Sequence, residues 1–279
     1  MVNIQFISDT HLEFRGENFQ KIIKPSAPIL CMLGDICACG TDGDFDIYKK
    51  FITYLSPLFT HIFHIPGNHE YYTVGNKNVT SKDTMQGIDS KIRKFTKSFN
   101  NVHFLNNDTV RLQIDNKKYV FVGSTLWTNV SPENKKKISG RMNDYSYIYF
   151  NNPKPKDATS EDAAKAPLFR RYNINDMVNL HEKSVRYIKK IMKTISSDEI
   201  AILLTHHKPI SDSDDNDEMN QAYESDLKDI IIKSPFKLAA HGHTHKKYDK
   251  VINDVRIISN PKGYISQKTK FDDKFIVTL

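Results

Sequence analysis

Cysteine is scarce in this chain. Cys31, Cys37 and Cys39 are odd in number and two of them stand one residue apart, so no disulfide framework can be drawn and a reducing compartment fits. Cys37-Ala38-Cys39 has the spacing of half a metal site but no second pair to complete a zinc cage, which leaves ordinary thiols beside a loop. No apolar run is long enough to span a bilayer. Met1-Val2-Asn3-Ile4 opens no basic segment followed by an apolar one, so no secretory signal is read. The expectation is a cytoplasmic protein with no membrane contact. Charge of one sign does not dominate either. Lys and Arg number 40 against 33 Asp and Glu, a formal +7, spread out apart from short clusters such as Lys135-Lys136-Lys137 and Lys246-Lys247. That balance reads as a lysine-rich surface rather than a field built for nucleic acid. At 39% hydrophobic and 26% charged over 279 residues, the composition is that of a globular chain able to bury a sizeable core.

What is present is an alternation of short apolar runs and helical patterns. Ile4–Ile7, Ile29–Leu33 and Ile62–Ile65 read as buried strands, each ending in a polar loop. Phe45, Tyr48, Ile52, Leu55 and Phe59 share one helical face, with Pro57 where that helix should stop. Ile88, Ile92, Phe95 and Phe99 mark a second helix, and 174–195 a long third one. Val110–Ile114 and Tyr119–Val122 read as a hairpin turning near Asp115-Asn116. Strands follow at Ile200–Leu204, Leu238–Ala240, Val255–Ile258 and Phe275–Leu279. The stretch 128–172 has few periodic apolar residues, and a segment that long suggests a lid or insertion. Early βα alternation with later paired strands gives an α/β or mixed layered fold, without a composition break to mark a domain boundary.

Five of the strands run straight into loops of metal-binding side chains. These are Ser8-Asp9-Thr10-His11, Gly34-Asp35, Gly67-Asn68-His69-Glu70, Thr205-His206-His207 and Gly242-His243-Thr244-His245. Loops at the carboxyl ends of strands in α/β sheets converge on one volume. The set Asp9, His11, Asp35, Asn68, His206, His243 and His245 mixes oxygen with imidazole, which suits Mn, Fe, Zn, Co or Ni rather than Mg or Ca. Seven side chains exceed the needs of one ion and suffice for two if a carboxylate bridges, with Asp35 the natural bridge. Such a pair clamps a phosphoryl group and makes hydroxide available near neutral pH.

The order and context of these blocks resemble the calcineurin-like metallophosphoesterase superfamily, whose pattern is Asp-X-His, Gly-Asp, Gly-Asn-His-Asp/Glu, a further His and Gly-His-X-His. The resemblance runs from Asp9 to His245. It implies one domain over 1–279, a four-layer sandwich of two mixed β-sheets flanked by helices. It further implies a cofactor of two divalent metal ions, with Asp9, His11 and His245 on the first, Asn68, His206 and His243 on the second, and Asp35 between them. His69 is then expected to face substrate rather than metal, and could protonate the leaving group. His206 is taken over His207 because it comes first after the strand; Glu70 is expected to support the loops, and His241 to be a core or hydrogen-bonded histidine.

Departures from the family narrow the substrate. Its protein Ser/Thr phosphatases carry arginines after Gly-Asp and before Asn-His-Glu, where this chain has Ile36-Cys37 and Pro66-Gly67. The segments Gly123–Trp127, Arg141–Tyr145 and Asn260–Tyr264 resemble an uncharacterised, mostly microbial metallophosphoesterase group. Within them Arg141 and Asn143 are candidate contacts to substrate, while Trp127 is expected in the core. The resulting expectation is hydrolysis of a small phosphodiester, phosphomonoester or nucleotide. A nuclease is the alternative, and a non-catalytic scaffold is disfavoured by the intact ligand set.

Overall fold

The computed structural model describes residues 1–75, 78–152, 168–212 and 217–279. Among these residues the strands form two main sheets and a small ribbon. In the first sheet β1 (Asn3–Ile7), β2 (Ile29–Leu33), β3 (His61–Ile65) and β4 (Val102–Phe104) are parallel, and β13 (Ile276–Thr278) pairs antiparallel with β1. In the second, β6 (Lys117–Ser124), β9 (Glu199–Thr205), β10 (Phe236–His241) and β12 (Val255–Ser259) are parallel. Antiparallel β5 (Asp108–Ile114) and β11 (Tyr248–Ile252) close its two edges.

The layering follows from the two-residue period of strand side chains. Ile4 and Phe6 of β1, Cys31 and Leu33 of β2, and Phe63 and Ile65 of β3 share a buried cluster with Tyr119, Phe121, Ile202, Leu204 and Leu238 of the second sheet. The intervening residues face outward. Leu30, Met32 and Ile62 pack with the helices α1 (Asp42–Leu55) and α2 (Met85–Thr96). Val120, Val122, Ala201, Leu203 and Ile257 pack with Ile188 and Ile231 from two helices on the far side. Both faces of each sheet are therefore covered, as parallel strands require, and the protein is a mixed α/β sandwich of two sheets between helical layers.

The stretch 128–172 is more ordered than its sequence suggests. Its described residues form α3 (Lys135–Ser139), α4 (Asp144–Tyr147) and the ribbon of β7 (Tyr149–Asn151) with β8 (Phe169–Arg171); 153–167 lie outside the described residues. Val130, Ile138, Ile148 and Tyr172 join Trp127 in the cluster that holds α1 and α2. The long helix α5 (Ile174–Met192) starts at a capping box in which Asn173 and Asp176 satisfy each other's backbone N–H groups. After it comes α6 (Lys228–Ile232).

Candidate metal centre

The loops after β1, β2 and β3 approach those after β9 and β10 at one end of the sandwich. Backbone bonds tie them: Asp9 N–H donates to Gly34 O, His11 N–H to Asp35 O, and Gly242 N–H to His206 O. The approach is close enough to require glycine. A β-carbon at Gly67 would lie 2.2 Å from Asp35 Oδ1, and one at Gly34, where φ is +84°, 2.3 Å from His206 Nδ1. The backbone itself is strained here. Asp9, His11, Asp35, His243 and His245 all have positive φ, between 44° and 66°, a region non-glycine residues visit rarely and which surrounding structure must enforce.

Among the described residues three groups of converging donor atoms result, the first from Asp9, His11, Asp35 and His245, the second from Asp35, His206 and His243, and the third from His11, Glu13 and His69. In the first, His11 Nε2 lies 3.2 Å from His245 Nε2, and His245 Nε2 lies 3.3 Å from Asp9 Oδ1. In the second, His206 Nε2 lies 3.1 Å from both His243 Nδ1 and Asn68 Oδ1 and 3.4 Å from Asp35 Oδ1. Asp35 turns Oδ1 to the second group and Oδ2 to His11 of the first, at 3.9 Å.

Outward hydrogen bonds decide what these atoms offer. His11 Nδ1 donates to Glu13 Oε1, His245 Nδ1 to Gln267 Oε1 and His206 Nδ1 to Leu33 O. Against the burial that would lower it, Asp35 raises the His206 pKa to about 9, so without an ion that ring holds a proton; once deprotonated, each of these rings would offer Nε2 as a lone pair aimed inward. Asn68 Nδ2 donates to Tyr72 Oη and to Asp144 Oδ1, so its Oδ1 also points inward. Lone pairs of nitrogen and oxygen thus converge with carboxylates, an arrangement a cation satisfies. Burial opposes the charge of Asp35, yet His206 and His69 outweigh it and hold the carboxyl well below its ordinary range.

His69 belongs to the third group, with His11 and Glu13, and stands outside the two that share Asp35. Its Nδ1 donates to Glu13 Oε1 at 2.9 Å, and its Nε2 faces Tyr264 Oη at 3.1 Å. Burial alone would lower its pKa, but Asp35 and Glu13 raise it to about 9. Glu70 is fully buried; its carboxylate accepts from the backbone of Asp35, Ile36 and Gly67, which locks two of the loops together. His207 donates from Nδ1 to Thr125 O and packs its ring between Trp127 and His243, 4.1 Å from the latter, and His241 is buried in contact with Gly242 O. Arg141 and Asn143 line the same cleft as Asp35, Asn68, His69 and His243, a space of about 840 Å³. Sequence reasoning gave no role to Glu13, Tyr72, Asp144, Tyr264 or Gln267, although Asp144 and Tyr264 lie in segments it singled out.

A two-sheet sandwich with acid and imidazole groups gathered at its strand ends has the build of a metallohydrolase. The chain belongs to the calcineurin-like phosphoesterases, whose family model matches residues 2–247. It is 30% identical over 292 residues to the uncharacterized protein L509 of Acanthamoeba polyphaga mimivirus, covering 96% of this chain and 94% of that one. Among solved structures it is similar to the phosphopantetheinyl hydrolase PptH of Mycobacterium tuberculosis, with TM-score 0.70, 16% identity, and coverage of 94% and 89%. A dimetal phosphatase from Danio rerio gives TM-score 0.52 at 11% identity, with coverage of 96% and 90%. At such identities the two structures show a shared fold. The protein is a phosphoesterase, and among the described residues no helix is long and apolar enough to cross a membrane.

Proposed function

We propose that this enzyme is a two-metal hydrolase of small phosphodiesters, phosphomonoesters or nucleotides, working as one domain. Asp9, His11 and His245 would hold one ion, Asn68, His206 and His243 the other, and Asp35 both. The observation that carries this reading is the divided carboxylate of Asp35, each oxygen turned to a different group of inward lone pairs. Manganese, iron or zinc suits these donors, with nickel or cobalt also compatible. Once bound, such ions would polarise the phosphoryl group and lower the pKa of a water between them.

The chain's own groups supply the remainder. Asn68 ligates without adding negative charge, and its amide is held in place by Tyr72 and Asp144. His69, braced by Glu13, presents Nε2 toward the cleft as proton donor to the departing oxygen. Arg141 and Asn143 line the same cleft, on the segment read as a lid, where they can contact phosphate or base. A cleft of about 840 Å³ is of small-molecule size, which favours a compact ester over a nucleic-acid strand.

The test is metal analysis of the purified protein, followed by manganese-supplemented assays on bis(p-nitrophenyl) phosphate, p-nitrophenyl phosphate, cyclic and linear nucleotides, and single-stranded DNA. Two equivalents of metal with turnover of a small ester is the expected result. DNA cleavage faster than the small diesters would replace it with a nuclease. His69→Ala should retain both metals and lose turnover on esters with poor leaving groups; normal rates on those esters would remove the proton-donor role.

A further inference from the structure

The loop that follows β12 leans over the metal centre and has no part in the donor groups. Its backbone is fixed at several points. Asn260 Nδ2 donates to Phe6 O and Asp272 O, Lys262 N–H to Ser8 O, and the Arg15 guanidinium to Gly263 O. Gln267 Oε1 accepts from Tyr264 N–H, and Gly263, at φ +71°, turns the chain toward the site. The Tyr264 ring consequently lies stacked on His11, with centroids 4.5 Å apart and planes at 26°, and stands edge-on to His245 at 4.9 Å. Its hydroxyl is 3.1 Å from His69 Nε2, and the residue remains 37% exposed in the cleft.

Any oxygen that leaves phosphorus toward His69 must arrive where this hydroxyl already stands. The ring is held against two histidines and its loop's backbone by Ser8, Arg15 and Gln267, so a substrate entering the cleft meets the hydroxyl rather than displacing it. We infer that Tyr264 is a catalytic residue of the leaving-group side: its hydroxyl accepts a hydrogen bond from His69 Nε2 and donates its own to the leaving oxygen. This rests on His69 being the source of the proton as proposed above: as the P–O bond breaks, the phenol proton passes to the leaving oxygen and the His69 Nε2 proton replaces it on the phenol. A phenol can take both parts at once, having one donor and two acceptor lone pairs. Its contribution grows as the P–O bond lengthens and negative charge gathers on the departing oxygen, which is when a placed donor matters most. The consequence is a dependence on leaving group. Esters of alcohols, whose oxygens become strongly basic, need the hydroxyl far more than esters of nitrophenol.

Tyr264→Phe keeps the stacked ring and removes only the hydroxyl. The experiment compares this variant with wild type across p-nitrophenyl, phenyl and alkyl phosphates, in whichever ester class wild type turns over, with metal content measured on both. The expected result is full metal content, nearly unchanged KM, and a kcat loss rising from several-fold on p-nitrophenyl to roughly 10²-fold on alkyl esters. In the His69→Ala background the same substitution should add little, since both residues serve one oxygen. A loss of equal size across the series, or none, overturns the assignment to Tyr264 and leaves the hydrolase reading standing. Metal-loaded wild type inert to every ester would instead remove the hydrolase reading, and the role of Tyr264 with it.

Discussion

His245 reaches the first donor group through Nε2 because Nδ1 donates to Gln267 Oε1 at 2.6 Å. A partner of this kind fixes both the tautomer and the tilt of a ligating imidazole, and its loss commonly weakens metal binding 10- to 100-fold. Gln267→Leu should therefore lower the affinity for one of two ions by about that factor, leaving the other tight, as read by competition with a chromogenic chelator. Equal affinity for both ions, unchanged from wild type, would show that Gln267 only covers the ring. The contrast between Gln267 and the proposed ligands also shows what a sequence displays. Asp9, His11, Asp35, Asn68, His206, His243 and His245 were legible as candidates because each follows a strand in a short, ordered motif. Glu13 was not, since its place under His69 depends on the left-handed turn at His11, where φ is 44°, and an acidic residue two positions after a histidine carries no such signal. Gln267 and Tyr264 reach the centre from more than 250 residues beyond Asp9, and only the sheet order makes them neighbours.

Among elements, the ones that could be read ahead of the structure were those with a strong local signature. The hairpin of β5 and β6 turns at Asp115 and Asn116, both in the left-handed region, which is where a two-residue turn needs such residues. β4 was missed because three residues are too few for a period, and β11 because its exposed edge makes Tyr248–Ile252 read as polar. β4 nevertheless gives the first sheet a measurable property. His103 faces His61 of β3 at 3.2 Å between ring nitrogens and stacks on Phe63 at 5.0 Å. Burial, with a smaller contribution from His61, holds the His103 pKa at about 4, below its ordinary 6.5. Between those values the unfolded chain binds more protons than the folded one, so stability is full above pH 6.5 and falls as the pH drops toward 4. His103→Phe keeps a ring on Phe63 and removes the titration. Urea midpoints at pH 7, 5.5 and 4.5 should converge on acidification, the variant losing less than wild type; parallel decline would show that His103 is protonated equally in both states.

At the scale of the whole molecule, the centre joins two sheets that otherwise meet through an apolar layer. Asp9, Asp35 and Asn68 come from the first sheet, His206 and His243 from the second. Metal binding should then be worth stability as well as chemistry. An ion that binds only the folded chain adds about 2.7 kcal/mol when its free concentration is 100 times Kd. Chelation should accordingly lower the melting temperature by several degrees, with manganese or zinc restoring it. Asp35→Asn separates this coupling from simple packing. Asp35 also serves the metal-free state, where His206 and His69 outweigh its burial and hold its carboxyl well below the ordinary range. Removing that charge leaves His206 and His69 without their buried partner in the metal-free state, and removing the shared ligand costs the metal-bound state, in addition, most of what the ions add. The variant should thus melt below wild type in chelator and still further below it with metal present, the gap widening as metal is added. If chelator moves neither protein, the strained loops at Asp9, His11, Asp35, His243 and His245 are held by their glycine contacts and backbone bonds alone, and the ions have no part in keeping the sheets together.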